Sequence, residues 1–241
     1  MKKLIFSLLS LFVCICVMSC GAQDKALGDS SVMKEKLDNM EYTLYQDIFY
    51  NGSGDKYAGK EFSKEGTFAV IYDSFNDRER YYVWGYADET RCCDWQWEFV
   101  TEDPSSLPSP GSYISVSGSF EKNDDALDKY WITEAMVTTM QTYSASVCEM
   151  DLSVMSTTLA RVQLANMVNY AEKYSGKTIC VYARVAADSK IQNPYYDGDW
   201  SLPYEYDKDA PAIGTKVRVK GTFEGTGISD SVIRVDNMDV Q

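Results

Sequence analysis

The sequence contains no histidine. Imidazole is the side chain most often used for proton transfer near neutral pH, and both the Ser-His-Asp and the Cys-His nucleophile arrangements require it. Those chemistries, and zinc sites with histidine ligands, are therefore excluded for this chain alone. Carboxylate, lysine, tyrosine and thiolate chemistry remain available.

Basic residues are scarce relative to acidic ones. The chain has 23 Lys and Arg against 36 Asp and Glu, a formal charge of −13. Nucleic-acid binding normally depends on clustered Lys and Arg that neutralise phosphates. From this composition we expect no nucleic-acid partner.

The seven cysteines show no C-x-x-C spacing, so the sequence does not indicate a zinc site. Asp197 and Asp199 do not match a calcium-binding loop either, because no third ligand follows at the required position. We expect no metal site and no cofactor.

The one long apolar run lies at the N-terminus. Lys2 and Lys3 precede it, and it ends in the tetrad at 17–20, which closes with Cys20. The run is shorter than the roughly 20 residues that a bilayer-spanning helix needs, and no stop-transfer pattern follows. The pattern predicts a signal peptide over 1–19 that ends in a lipobox, with Cys20 as the lipidated first residue of the mature chain. A plain secretory signal cut nearby is the alternative.

This N-terminus predicts an exported protein anchored to the cell membrane or the outer membrane by a lipid on Cys20. Two acyl chains, such as palmitate, anchor stably because each buried CH₂ contributes about 0.8 kcal/mol. Residues 20–37 are expected to form a lipidated flexible tether. Removing Lys2 and Lys3 with the signal changes the formal charge from −13 to −15.

An internal repeat organises the rest of the chain. The pattern G-[ST]-x-[IV]-x-V-x-G-[ST]-F-E occurs at 111–121 and again at 214–224. Its apolar residues alternate, which is typical of a half-buried strand, and its inner glycine suits a bulge or a sharp bend. Val116 and Val219 are predicted to occupy equivalent core sites. A second match precedes each copy, where 57–60 and 174–177 share a Tyr-x-Gly-Lys turn.

Each copy also closes with an apolar strand, at 130–140 and 231–240, and spans roughly 80 to 90 residues with turns between short strands, which is the size of a small five-stranded barrel. We therefore predict a mainly β (α+β) fold with two OB-like barrels in tandem, each stable alone. The expected boundaries are 38–142 for the first domain, 143–157 for a linker and 158–241 for a helix plus the second domain.

The helix is predicted over 157–170 from apolar residues at helical spacing. Its apolar face contains Leu159, Val162, Leu164 or Ala165, and Met167 or Val168. The segment 33–50 has weaker periodicity and is expected to lead into the first barrel in a similar way.

Four features of the chain point in the same direction: the Gly-Lys strand entries, the Tyr-x-Gly-Lys turns, the runs at 80–83 and 92–99, and the G-[ST]-x-[IV]-x-V-x-G-x-F strands. Together they resemble bacterial lipoproteins with tandem OB-fold-like domains of unassigned function. The resemblance covers nearly the whole mature chain. It implies the fold and the lipid anchor, and it transfers no catalytic residue.

Cys92 and Cys93 are redox candidates. Alternation along 93–99 places adjacent cysteines on opposite faces of a strand. Either Cys93 is a small core residue while Cys92 pairs elsewhere or stays free, or the two serve redox or soft-metal chemistry. Together with Cys148 and Cys180 they allow three pairings, and the sequence does not choose among them.

An aromatic segment in the second copy is the candidate ligand-binding site. Exposed rings beside carboxylates suit a carbohydrate or peptide ligand, because rings stack on apolar faces while acids accept hydrogen bonds. The alternative is that the rings close the mouth of the barrel. The residues are Tyr195, Tyr196, Trp200, Tyr204 and Tyr206.

Lys216, Arg218 and Lys220 alternate along one strand and should form a basic stripe on its outward face. Three interpretations of the stripe remain open: a solvated face that discourages strand pairing, a site for an anionic partner, and a site of intramolecular pairing.

These observations favour a lipid-anchored cell-envelope binding or assembly module that is not an enzyme. Its expected partners are the membrane, through the lipid, and an envelope protein or glycan. One alternative is an envelope hydrolase with two carboxylates about 5 to 10 Å apart across a cleft. Another is thiol redox or metal handling through Cys92 and Cys93.

Overall fold

A computed structural model describes residues 47–48, 51–86, 94–125, 129–141 and 148–241. The chain divides into two compact units, Met1–Lys36 and Leu37–Gln241, and every described residue belongs to the second. The predicted signal, Cys20, the tether, most of the segment 33–50 and the pair Cys92 and Cys93 lie outside the described residues.

The first copy of the repeat forms a closed five-stranded barrel in the order β1-β2-β3-β5-β4. The β3–β5 pairing is parallel and the other pairings are antiparallel. Short 3₁₀ helices over Gly54–Lys56 and Pro104–Ser106 precede β1 and follow β3. The strands are β1 Lys60–Asp73, β2 Arg78–Tyr86, β3 Asp94–Phe99, β4 Tyr113–Lys122 and β5 Tyr130–Gln141.

The second copy repeats this topology. Strands β7 to β11 follow the order β7-β8-β9-β11-β10, and pairing of β10 with β7 closes the ring. The β9–β11 pairing is parallel, as β3–β5 is in the first barrel. The short β6 adds to β7 in parallel. The strands are β6 Met150–Asp151, β7 Thr178–Ala186, β8 Lys190–Gln192, β9 Ser201–Glu205, β10 Lys216–Glu224 and β11 Val232–Val240.

The predicted helix is confirmed as α1, Thr157–Asn169, and a single turn, α2, Ala171–Tyr174, follows it. Ser156 caps α1, because its hydroxyl oxygen accepts a hydrogen bond from the Leu159 amide at 3.2 Å. Among the described residues, no helix is long and apolar enough to cross a bilayer.

The two copies agree at the backbone level. Gly59 donates its N–H to the Phe120 carbonyl at 2.8 Å, and Gly176 donates to the Phe223 carbonyl at 2.8 Å. Both glycines have positive φ, at 76° and 87°, a region that favours glycine. The shared Tyr-x-Gly-Lys turns therefore form the same strand entry in both barrels.

The inner glycine of the repeat forms the predicted irregularity in each barrel. The pairing register shifts beside Gly118 and Gly221. A Cβ atom at either position would lie 2.3 Å from the carbonyl oxygen of Thr133 or Arg234, respectively, so the neighbouring strand approaches too closely for a side chain. Val116 and Val219 are both fully buried, which confirms the predicted equivalent core sites.

The apolar core has two clusters. One fills the first barrel and is rich in aromatic rings, including Phe62, Phe68 and Phe120. The other fills the second barrel and continues through α1 to residues of the first barrel, Ala69, Tyr82 and Trp84. The barrels thus share buried apolar surface.

Candidate functional site

The β1–β2 hairpin extends beyond the first barrel and attaches to α1. β1 has 14 residues, whereas its counterpart β7 has 9, and β4 pairs with β1 only as far as Thr67. Beyond that point Gln163 donates its amide N–H to the Val70 carbonyl at 2.7 Å. Asn166 accepts from the Tyr72 N–H and donates to the Tyr72 carbonyl, each at 3.1 Å. Two helix side chains therefore satisfy the backbone edge of β1 as a neighbouring strand would.

A cleft of about 170 Å³ lies between the barrels at the base of this hairpin. Its first-barrel wall comes from the hairpin and from the proline-rich segment after β3. The opposite wall comes from the residues around β6, α2 and the start of β7. The lining comprises Phe68, Val70, Glu79, Tyr81, Pro104, Leu107, Pro108, Pro110, Glu149, Met150, Tyr174 and Lys177.

The cleft combines neutral aromatic rings with a few charges. Burial raises the pKa of the Tyr174 phenol above its ordinary value. Burial, followed by the charge of Glu79, also raises the pKa of Tyr81. The Lys177 ammonium lies 5.4 Å from the centre of the Tyr174 ring. Because the side chains of Phe68, Val70 and Tyr174 are almost wholly buried, the cleft presents mainly hydroxyl and charged groups, which suits a ligand that forms hydrogen bonds.

Glu79 and Glu149 are the two carboxylates that line the cleft. Glu149 accepts a hydrogen bond from the Thr178 amide at 2.8 Å, which fixes it to the start of β7. The hydrolase alternative requires two carboxylates across one cleft, and these two residues are the pair to consider for it.

The structure separates the five predicted aromatic residues into two groups. Tyr204 is buried in the core, and Trp200 and Tyr206 pack against it partly buried. Tyr195 and Tyr196 remain at the surface, and Tyr196 is 47% exposed. The buried Asn193 holds both backbones, because its side-chain oxygen accepts from the two amides at 2.8 and 3.1 Å.

Tyr195 and its neighbours form an outward surface on the second barrel. The Lys216 ammonium lies 4.5 Å from the centre of the Tyr195 ring, and the Tyr182 ring lies 6.2 Å from it. Arg184 forms an ion pair with Asp197. The surface thus combines aromatic rings with a cation, and a cation over a ring face is attractive.

The basic stripe is engaged within the molecule at its centre. Arg218 donates to the Asp151 carboxylate and to the Ser153 hydroxyl oxygen, each at 2.9 Å. Intramolecular pairing, one of the three interpretations of the stripe, is therefore confirmed for Arg218. The contact holds the segment that precedes α1 against β10.

Cys148 and Cys180 form a disulfide, with Cα atoms 5.8 Å apart. Both residues are buried. The bond excludes the two pairings that would join Cys148 and Cys180 to Cys92 and Cys93. In the described ranges, no group of three or more Cys, Asp or Glu is arranged to hold a metal ion.

Sequence reasoning did not find the cleft. The prolines at 104, 108 and 110 are a local signal for one of its walls. No local signal marks the other wall, because Tyr174 and Lys177 belong to the shared turn motif and because the walls meet only when the barrels dock.

No protein-family model and no curated protein matches this chain. Among solved structures, it is similar to the HINb domain of p204, with 16% identity, a TM-score of 0.23 and coverage of 75% of this chain and 97% of that chain. It is also similar to the HINa domain of Ifi202 in complex with 20bp dsDNA, with 14% identity, a TM-score of 0.22 and coverage of 75% and 97%. The tetrameric p202 HIN2 matches with 12% identity, a TM-score of 0.21 and coverage of 77% and 93%.

One expectation about partners is corrected by these comparisons. We expected no nucleic-acid partner from the acidic composition, but the Ifi202 HINa domain was solved in complex with 20bp dsDNA. Net charge describes the whole surface, whereas phosphate contacts are local, so the exclusion is withdrawn. The predicted fold class is confirmed: the chain is mainly β, with two OB-like barrels in tandem and a helix that leads into the second.

Proposed function

We propose that this chain is an exported, lipid-anchored binding or assembly module of the cell envelope and that it is not an enzyme. The observation that carries the proposal is the buried disulfide between Cys148 and Cys180. Structural disulfides form in oxidising compartments and are rare in the cytosol. This bond supports the export that the N-terminal signal and the lipobox at Cys20 predict.

The way in which the barrels are joined supports a binding role. Gln163 and Asn166 bond α1 to the backbone of β1, and a single apolar cluster runs from the second barrel to the first. The cleft and the Tyr195 surface are therefore presented on a preorganised framework. Preorganisation lowers the free-energy cost of binding, because less motion is lost in the complex.

Lipid attachment is tested with the full chain in a bacterial host that processes lipoproteins. Cells are fed an alkyne analogue of palmitate, and wild type is compared with Cys20→Ala and with Cys16→Ala as a matched control within the apolar run. Wild type and Cys16→Ala are expected to carry the label and to sediment with membranes, whereas Cys20→Ala should lose both. A Cys20→Ala variant that is normally cut and still bound to membranes would contradict the proposal.

Binding is tested by photo-crosslinking in the same cells. A benzophenone amino acid replaces Leu107 in the cleft or Tyr196 on the second barrel, and Ile213, which is 72% exposed, serves as the control position. A discrete adduct from the cleft or the Tyr196 position, absent at the control, is expected. Sensitivity of the adduct to protease, nuclease or glycan-cleaving enzymes assigns its chemical class. Identical patterns at all three positions would count against a binding role.

A further inference from the structure

Three hydrogen-bond donors stand in one row across the outward face of the second barrel. In the strand register, Arg184 on β7 lies opposite Lys216 on β10 and opposite Gln192 on β8. Residues directly opposite each other in an antiparallel pair project to the same face, with Cβ atoms about 5 Å apart. Lys216, Arg184 and Gln192, named here the donor row, therefore present an ammonium, a guanidinium and an amide side by side.

The first barrel does not carry this pair of cations. Thr67 and Tyr113 hold the positions of Arg184 and Lys216 in the repeat, and they are register partners in the first barrel as well. The shared fold therefore does not require two cations at this place. Like charges directly opposite each other destabilise a sheet, so the second barrel keeps a costly pair that a bound anion would neutralise.

A carboxylate of the chain itself already touches the donor row. Asp197 accepts hydrogen bonds from Arg184 Nη2 and, at 3.2 Å, from Gln192 Nε2, both at the same oxygen. Its side chain is 85% exposed, and an ion pair that is open to solvent contributes little to stability. Asp197 thus marks a place where a carboxylate binds on the row, and it holds that place weakly.

Arg184 also has a donor to offer to a further acceptor. Its Nε atom is buried and has no hydrogen-bond partner among the residues that the structure describes. A buried donor without an acceptor costs free energy. Carboxylates commonly bind a guanidinium through two nitrogens at once. A ligand carboxylate in the place of Asp197 could therefore bind Nη2 and Nε together and supply the acceptor that Nε lacks.

Two tyrosine rings lie beside these charges. The Lys216 ammonium is 4.5 Å from the centre of the Tyr195 ring, and the Tyr182 ring centre is 6.2 Å from that of Tyr195. Asn193 fixes the backbone of Tyr195, so the position of the ring is set before a ligand arrives. Aromatic rings pack against the apolar face of a sugar. A sugar ring that carries a carboxylate matches both the donor row and the rings.

Acidic groups limit the site to this end of β10. Arg218, two residues further along the strand, binds Asp151 at 2.9 Å and lies opposite Asp239 in the register. An anion placed at Arg218 would meet two carboxylates, so Arg218 is not part of the site. The site consists of the donor row and the Tyr195 ring.

We propose that the donor row and the Tyr195 ring bind an acidic glycan, a polysaccharide of uronic acids, with one of its carboxylates in the place that Asp197 occupies here. The inference rests on the binding role proposed above and adds the chemical class of the ligand. It does not depend on lipid attachment or export.

The probe is a hexamer of galacturonic acid, titrated by calorimetry into residues 20–241 that carry Cys20→Ser, in about 150 mM salt, which screens charges beyond about 8 Å. Wild type should bind the hexamer. Arg184→Gln and Lys216→Gln should each weaken binding about 10-fold, because each removes a hydrogen bond between charged groups. Lys220→Gln removes the same charge from the same face of β10, outside the site, and should leave the affinity near that of wild type.

Asp197→Asn tests the displacement of the internal carboxylate. Loss of this competitor should tighten binding about 3-fold, which corresponds to the contribution of an exposed ion pair. Asp125→Asn, at an exposed position of the first barrel, changes the net charge equally and should leave the affinity near that of wild type. A melting curve for each variant verifies that the fold is retained.

Four results would overturn the proposal. A wild type that binds no hexamer up to about 1 mM, the weak end of specific association, would do so while leaving the crosslinking test of the proposed function unaffected. Equal weakening by Lys216→Gln and Lys220→Gln would show general charge attraction instead of a site. Equal affinity for the methyl-esterified hexamer would show that the carboxylate is not recognised. Tighter, Lys216-dependent binding of a single-stranded oligonucleotide of equal charge would assign the row to nucleic acid.

Discussion

Asp73 links the hairpin turn to the pH response of the molecule. Its pKa is lowered to about 2, first by the hydrogen bond from Asn76 and then by those from Arg80 and Phe75. A pKa that is depressed in the folded state adds stability above the ordinary value near 4, and that stability disappears as the pH falls towards 2. Asp73→Asn should therefore be less stable than wild type by about 2 kcal/mol near pH 6. This difference in the free energy of unfolding should be smaller at pH 4 and smaller still at pH 3.

Urea unfolding at each pH measures this gap. Asp209→Asn, at an exposed position after β9, serves as the control for loss of one acidic charge and should change the free energy of unfolding at pH 6 by only a small amount. A wild type and an Asp73→Asn variant whose difference is the same at pH 3 and pH 6 would show that the turn does not hold the carboxylate in its ionised form.

Single polar residues show where prediction from sequence fails. Leu159 and Met167 follow the apolar period of α1, and both are buried as the pattern indicates. Gln163 and Asn166 are buried as well, although polar side chains at such positions normally face water. Their burial depends on an exposed backbone edge that is 94 residues away in sequence for Asn166, and no local pattern carries that information.

At the scale of the strand, the inner glycines should be intolerant of any side chain. Gly118→Ala and Gly221→Ala each place a Cβ atom 2.3 Å from a carbonyl oxygen of the adjacent strand. Each substitution should lower the free energy of unfolding by about 1 to 3 kcal/mol, because the strand must shift to relieve the overlap. Chemical denaturation of the purified variants measures the loss.

Gly227→Ala is the matched control, since the nearest atom to its added Cβ lies 4.0 Å away, on the Asp230 side chain. It should retain nearly the stability of wild type. Equal stability of all three alanine variants would mean that the bulges can absorb a methyl group and that close strand approach does not explain the repeated glycine.

Elements with local signals were predictable, and those set by distant contacts were not. Alternating apolar residues and repeated glycines identified β4 and β10, because strand period and glycine geometry act over a few residues. The 14-residue length of β1 carried no comparable signal. Its last residues pair with β2 on one side, but their other backbone edge is covered by α1, which is distant in sequence. The cleft was missed for the same reason.

At the scale of the whole molecule, the apolar cluster shared between the barrels refines the expectation that each folds alone. Met150, Leu152 and Met155 precede the predicted boundary at 158, yet they are buried in the cluster of the second barrel. A fragment of residues 148–241 keeps them and the disulfide, whereas 158–241 loses both. We expect 148–241 to unfold cooperatively and 158–241 to be less stable by at least about 3 to 4 kcal/mol, the contribution of a disulfide that closes a loop of this size.

Urea titrations of the two fragments, each compared with a chain of residues 20–241, measure this difference. Cys148→Ser in the longer fragment separates the contribution of the disulfide from that of the three apolar residues. Equal midpoints for the two fragments would show that the segment before α1 does not belong to the folding unit of the second barrel.

The disulfide also affects the way in which the molecule can aggregate. The covalent loop from Cys148 to Cys180 contains all of α1, so the helix must stay with the second barrel whenever the barrels separate. Separation would then remove Gln163 and Asn166 from β1, and the Val70 carbonyl and the Tyr72 N–H and carbonyl, on the edge opposite β2, would lose their hydrogen-bond partners. An uncovered strand edge recruits strands from other chains. Partial opening between two intact barrels, well before either one unfolds, is thus the state from which this protein would begin to aggregate.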